Sequence, residues 1–177
     1  SGHEVWHNEI PFGVESGAVV SDGRLYFGGN DANFYCVDLD DGHLIWKFPV
    51  RAQILGAPAL SDGLAIFLSG DNTVYAVQIS NGQQKWIYKR QETSVLSIRG
   101  ASQPTVIDKH VYVGLSDGAL VSLNIGDGSL AWERALGEGR RFSDVDTEPK
   151  NVGMSLIVGS YDGSIYSISR RDGQIEW

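Results

Sequence analysis

The sequence has a single cysteine, Cys36, so no disulfide can close within the chain. That leaves the redox compartment open, because proteins of oxidising compartments also do without disulfides. No apolar run approaches the roughly 18 residues that a membrane-spanning helix needs. Cations are scarce too: 14 Lys and Arg stand against 22 Asp and Glu, a formal net charge of −8. Phosphate backbones are bound by clustered Lys and Arg, so the balance argues against a nucleic-acid surface. The pairs Lys89-Arg90 and Arg140-Arg141 are too short to reverse that. The chain opens Ser1-Gly2-His3-Glu4 with no signal peptide, which reads as a cytosolic or already trimmed protein. No segment carries a convincing helical period.

Glycine, in contrast, is plentiful. There are 22 without a collagen period, which points to many tight turns. Hydrophobic residues make up 42 % of 177, enough for one domain over residues 1–177 to bury a core.

The five tryptophans reveal a repeat. Trp6, Trp46, Trp86, Trp132 and Trp177 are spaced by 40, 40, 46 and 45 residues. Each follows a glycine by four positions: Gly2, Gly42, Gly82, Gly128 and Gly173. A second turn recurs about ten residues before these glycines, at Asn30-Asp31-Ala32, Asp71-Asn72, Asp117-Gly118 and Asp162-Gly163. A third turn lies some nineteen before, at Asp22-Gly23, Asp62-Gly63, Asp108-Lys109 and Asn151-Val152-Gly153. Asp-Gly steps between short apolar runs signal hairpins, because type I′ turns need positive φ at both central residues. The runs alternate as half-buried strands do (Tyr35, Val37, Leu39; Tyr75, Val77, Ile79; Val121, Leu123, Ile125). Cys36, Ala76, Ser122 and Ser167 fill one small intervening slot.

Three turns per period join four strands, so each repeat is a four-stranded antiparallel meander, the blade of a β-propeller. The fold class is all-β, with repeats at about 7–46, 47–86, 87–132 and 133–177. The outer-strand tryptophan is expected to fill the wedge between blades, since an aromatic buries roughly 150–250 Å². The chain begins and ends at the same point of the repeat. Three closures follow: the N-terminal strand pairs with the last blade, the chain is part of a longer propeller, or two chains complete one ring. Open blade faces are an association liability.

The repeats differ in their connectors. From Pro58, Pro104 and Pro149 to the next tryptophan is 28 residues each time. From Trp46 to Pro58 is 12, but Trp86 to Pro104 is 18 and Trp132 to Pro149 is 17. The extra residues therefore sit in the connectors into blades three and four, which emerge side by side on one face. The first offers Val95, Leu96 and Ile98 ahead of Arg99; the second offers Phe142, then Asp144 and Asp146 at strand spacing with both carboxylates pointing one way. Apolar anchors beside an arginine and two acids suit a protein-binding patch. An equal alternative is internal: Arg99 pairs with Asp144 or Asp146 to pin the loops, and Leu96 and Ile98 tuck into the core.

Little supports chemistry. His3, His7, His43 and His110 lack metal-ligand spacing. The alternating acids of 144–148 resemble the start of a calcium loop, but Pro149 replaces the glycine such a loop needs. There is no nucleophile elbow and no phosphate loop; Gly28-Gly29 closes a strand.

The Asp-Gly-x-x-x-Ala/Ser-Leu and Gly-x-x-x-Trp pattern resembles PQQ-like propeller repeats along the whole chain. The segments Leu96-Ser97-Ile98-Arg99-Gly100-Ala101-Ser102-Gln103-Pro104 and Phe142-Ser143-Asp144-Val145-Asp146-Thr147-Glu148-Pro149 resemble matching segments of the BamB family of outer-membrane β-barrel assembly. That resemblance implies an eight-bladed propeller, of which four blades are here. It also implies a non-catalytic lipoprotein without cofactor or metal, on the periplasmic side of the outer membrane. Leu96, Ile98 and Arg99, with Asp144 and Asp146, would then dock the POTRA domains of BamA, with Phe142 beside them. Cys36 is expected inside a strand and cannot be the lipid-anchored residue. Two alternatives stand: a periplasmic propeller scaffold with another partner, and a fragment of a quinoprotein dehydrogenase. The second would need calcium ligands, a catalytic Asp and usually a vicinal disulfide, which one cysteine cannot supply.

Overall fold

Positive backbone angles fall where the turns were placed. Asp22 and Gly23 (φ 50° and 71°), Asp62 and Gly63 (52° and 72°), and Asp108 and Lys109 (47° and 69°) are left-handed in pairs, as type I′ turns require. In the fourth repeat Gly153 alone is left-handed (φ 62°) in a two-residue loop with Met154, the pattern of a type II′ turn.

The structure is a computed structural model that describes residues 2–90, 102–136 and 144–177. Blade 1 runs through β1 (Val19–Ser21), β2 (Arg24–Gly28), β3 (Asn33–Asp38) and β4 (Leu44–Pro49). Blade 2 is β5 (Ala59–Ser61), β6 (Leu64–Ser69), β7 (Thr73–Gln78) and β8 (Gln84–Lys89). Blade 3 is β9 (Thr105–Ile107), β10 (His110–Gly114), β11 (Ala119–Asn124) and β12 (Leu130–Ala135). Blade 4 has β13 (Lys150–Val152), β14 (Ser155–Gly159) and β15 (Ile165–Ser169). Each is an antiparallel meander in sequence order. The fourth edge of blade 4 is a bridge between Ile168 and Ile175, flanked by bonds from Ser169 N to Gln174 O (2.9 Å) and Glu176 N to Ser167 O (2.8 Å).

The inner strands are not half-buried, contrary to the alternation read from sequence. All six residues of β6 are buried, as are five of six in β7. The reason is that each blade is sandwiched between neighbours. One face of blade 2 (Ala65, Phe67, Tyr75, Val77) packs with Tyr26, Phe34 and Cys36 of blade 1. The other (Leu64, Ile66, Val74, Ala76) packs with Val111, Val113 and Val121 of blade 3. Blade 3 in turn gives Tyr112 and Leu120 to Leu156, Val158 and Ile168 of blade 4. Cys36 is fully enclosed, and burial holds its thiol above the ordinary value.

The tryptophan joins one blade to the next. Trp46 Nε1 donates to Ile79 O (3.2 Å), Trp86 to Ile125 O (2.6 Å) and Trp132 to Arg170 O (3.0 Å). Three residues beyond each acceptor lies the repeat glycine, left-handed and pressed against the indole. A Cβ on Gly82 would sit 2.7 Å from Trp46, and one on Gly128 2.6 Å from Trp86. Directly across the strand pair from the indoles stand the small residues: Cys36 opposite Trp46, Ala76 opposite Trp86, Ser122 opposite Trp132. Immediately after each, the register shifts by a bulge. An aromatic of this size removes roughly 150–250 Å² from water, on the order of 4–6 kcal/mol when fully buried.

Trp6 follows the same rule on blade 1. Its Nε1 donates to Leu39 O (2.9 Å), and its ring lies 2.5 Å from where a Gly42 Cβ would be. Asn8 adds a bond to Gly42 O (2.6 Å), and Ile10 helps cover Phe27, Tyr35 and Val37. The N-terminal segment therefore covers the outer face of blade 1 and forms no strand against blade 4. The first of the three closures is not observed: residues 2–18 form no strand, and the edge of blade 4 beyond β15 is taken by the bridge at Ile175. Trp177 remains 66 % exposed.

Replacing Trp86 by Ala should lower unfolding stability in urea by about 3–5 kcal/mol, while Trp177→Ala should change it by no more than about 0.5 kcal/mol. Gly128→Ala, at φ 73°, should also destabilise, by at least about 1–2 kcal/mol from the backbone alone.

Candidate functional site

Sequential antiparallel strands put the blade-to-blade connectors at the same end of the sheets as the β2–β3, β6–β7, β10–β11 and β14–β15 turns. The connectors are pinned to that end by two repeated devices. The first is a hydroxyl clamp twelve residues ahead of a strand-ending glycine. Ser16 Oγ bonds both O and N of Gly28 (2.9 Å each), and Thr147 Oγ1 does the same at Gly159 (3.2 and 2.8 Å). Ser102 Oγ accepts from Gly114 N and donates to Thr147 O (both 3.1 Å), so it ties the connectors into blades 3 and 4 together. The second device is an aliphatic plug: Ile54 presses on Gly28, and Val145 presses on Gly114, where no Cβ fits.

Asp144 and Asp146 flank that plug. Asp144 is fully buried, and its carbonyl accepts the amide of Tyr161 (2.9 Å). It occupies the place of Gln53 in the connector into blade 2, whose carbonyl accepts Gly70 N (2.8 Å). Asp146 is half-buried, with Oδ1 enclosed and lacking a hydrogen-bond partner among the described residues. Its carboxyl is pushed above the ordinary value, first by burial and then by the charge of Asp144. The two acids thus feel one another, although the segment is irregular and not the strand their spacing suggested. A buried Asp144 acts on the connector's own shape more than on an outside surface. Leu96, Ile98, Arg99 and Phe142 lie outside the described residues.

Sequence reading passed over Arg90. Its Nε pairs with Asp117 (2.6 Å) and its Nη1 with Glu133 (2.9 Å), clamping the end of blade 2 onto blade 3 where the long connector departs. No local motif marks it, because its partners lie 27 and 43 positions away. With Asp31, Asp71, Asp117 and Asp162 on the turns, every blade contributes a carboxylate to this end. At the opposite end, Asp38, Asp41 and His43 bring ligand atoms within 4.8 Å of one another, a grouping missed in the histidine spacing. Asp41 there accepts the amide of His43 (3.0 Å), a turn that Asn81, Asp127 and Asp172 repeat in the other blades. The group is explained by the turn.

The model of the family described as outer membrane protein assembly factor BamB matches residues 1–177. The chain belongs to the BamB family. Outer membrane protein assembly factor BamB of Escherichia coli K12 is 35 % identical over 178 residues, covering 97 % of this chain and 45 % of that protein. The crystal structure of BamB from Moraxella catarrhalis superimposes with a TM-score of 0.82 at 22 % identity, over 93 % of this chain and 52 % of that one. The chain thus spans about half the length of these BamB relatives. A quinohemoprotein alcohol dehydrogenase from Pseudomonas putida HK5 shares the fold (TM-score 0.77) at 17 % identity, over 98 % of this chain and 35 % of that one.

A carboxyl with a raised folded-state pKa favours the fold when protonated and opposes it when charged. Asp146→Asn should therefore raise the melting temperature at neutral pH. The gain should shrink as pH falls through the raised pKa and vanish below the unfolded value near 3.8, as thermal melts across that range will read.

Proposed function

We propose that this chain is a non-catalytic binding propeller of outer-membrane β-barrel protein assembly, held on the periplasmic side of the outer membrane. Its connector end takes the POTRA domains of BamA. The observation that carries this reading is the BamB family match across residues 1–177. In support, the two connectors that exceed the repeat are tied to each other through Ser102 and Thr147. The roles divide by side-chain chemistry. Leu96, Ile98 and Phe142 would supply apolar anchors and Arg99 the charged hot spot. Half-buried Asp146 would meet the partner at the edge, and enclosed Asp144 would hold the connector in shape.

Titration of this chain against purified BamA POTRA domains tests the reading. Arg99→Ala should weaken binding by about 2 kcal/mol or more with folding intact, and Asp146→Ala should weaken it less. Absence of binding by the folded chain, or an unchanged affinity for both variants, would overturn it.

We also propose self-association of the 177-residue chain through the outer face of blade 4. The exposed apolar side chain of Ile165 on β15 supports this. Light scattering should show a dimer that Ile165→Ala weakens. A compact monomer at high concentration would exclude it.

A further inference from the structure

We infer that the groove between blades 3 and 4, at the end opposite the connectors, binds a carboxylate carried on an apolar stem. Four backbone bonds establish which positions are equivalent there: Leu39 N to Gly23 O, Ile79 N to Gly63 O, Ile125 N to Lys109 O (3.0 Å each), and Arg170 N to Met154 O (2.9 Å). The carbonyl of each first-named residue accepts an indole N–H. Three of the four positions are aliphatic, as the wall of an apolar wedge should be. The fourth is Arg170.

The side chain of Arg170 is only 11 % exposed. Its Nη1 pairs with Asp108 Oδ2 (3.1 Å). Among the described residues Nη2 reaches only the thioether of Met154 (Sδ, 3.7 Å), a weak acceptor, and Nε is enclosed with no acceptor. Nε and Nη2 form the edge of a guanidinium that grips a carboxylate with two parallel bonds. That edge is unmatched, and a charged donor buried without an acceptor is costly. Met154, which covers it, is 67 % exposed, so its side chain swings aside without disturbing the core. Met154 also departs from the repeat, standing where the other blades carry Gly23, Gly63 and Lys109.

The groove has a volume of about 370 Å³ and is lined by Arg170, Arg171, His110, Tyr112 and Trp132. Two arginines exceed the single Asp108, so the groove favours an anion, and its aromatic walls favour an apolar stem. The equivalent groove between blades 2 and 3 is wired differently. Ile125 stands in place of Arg170, and Lys109 is already tied to Asp62 (2.6 Å). A peptide C-terminus and a small organic acid present the same chemistry.

Calorimetric titration of the full chain with 3-phenylpropionate and with 3-phenylpropionamide tests the inference, the acid binding at least about tenfold tighter than the amide. Arg170→Leu restores the residue type of the other blades and should abolish the preference. Arg170→Lys keeps the charge but loses the fork and should weaken acid binding about tenfold, and Met154→Gly should leave it intact or tighter. A hexapeptide ending in leucine, as free acid and as C-terminal amide, separates the sources. Tighter binding of the free-acid peptide than of 3-phenylpropionate points to a peptide end, and the reverse to a small acid. Equal binding of acid and amide, parent-like acid binding by Arg170→Leu, or no acid binding at about 10 mM overturns the inference.

Discussion

The contact between an outer-strand indole and the glycine turn of the next blade is the constraint from which the rest of the architecture follows. It needs a left-handed turn residue without a Cβ, because the ring lies where that Cβ would be. It needs a carbonyl three residues earlier, presented by the same turn to the indole N–H. It also needs a small residue across the strand pair, which is why Cys36, Ala76 and Ser122 hold one slot. A bulge just past that slot lets the outer strand keep both its pairing and its inter-blade contact. These demands recur once per blade. Each blade is stabilised chiefly by its neighbours, as in other repeat architectures.

Connector length is free to vary because the connectors are fixed where they matter. A hydroxyl at Ser16 or Thr147 satisfies both backbone groups of the glycine that ends the second strand, and Ser102 takes the amide of Gly114 while donating to Thr147 O. An aliphatic plug at Ile54 or Val145 fills the space above it. Between such anchors and the end of the preceding outer strand, residues can be added without disturbing a blade. At positions where the connector into blade 2 has Gln53 and Leu55, the connector into blade 4 carries two acids around its plug. Enclosing them has an electrostatic cost, visible in the raised pKa of Asp146. Natural cores seldom keep such a cost without a role in shape or recognition.

Departures from the repeat occur at both ends of the blades. On the connector end they are insertions, Arg90 pinning the base of one of them. On the opposite end they are substitutions, with Arg170 and Met154 in positions that elsewhere hold aliphatic residues, glycine or Lys109. The quinohemoprotein dehydrogenase shares the fold at low identity, and the propeller frame by itself specifies no one function. Function has to be sought where one blade differs from its siblings.

The repeat, its four-strand unit and the hairpins were legible in the sequence, because Gly, Asp-Gly and Trp each answer a local demand of geometry; only the first hairpin of blade 4 was misplaced, its loop being Gly153-Met154 and not Asn151-Val152-Gly153. The tryptophan wedge was legible as well, since only an aromatic fills it. The burial of both faces of the inner strands was not, because alternation reports one sheet and not the sheets stacked on either side. Asp144 and Asp146 could be singled out by spacing, yet their enclosure depends on Val145 reaching Gly114, some thirty positions away. Arg90 and Arg170 were invisible for the same reason: Asp117, Glu133 and Asp108 come to them from other turns or blades. The sequence by itself determined the blade, a local object built from turns and strand propensities. Only the tertiary structure decided what the blades enclose between them, because burial and charge pairing are properties of surfaces brought together from distant parts of the chain.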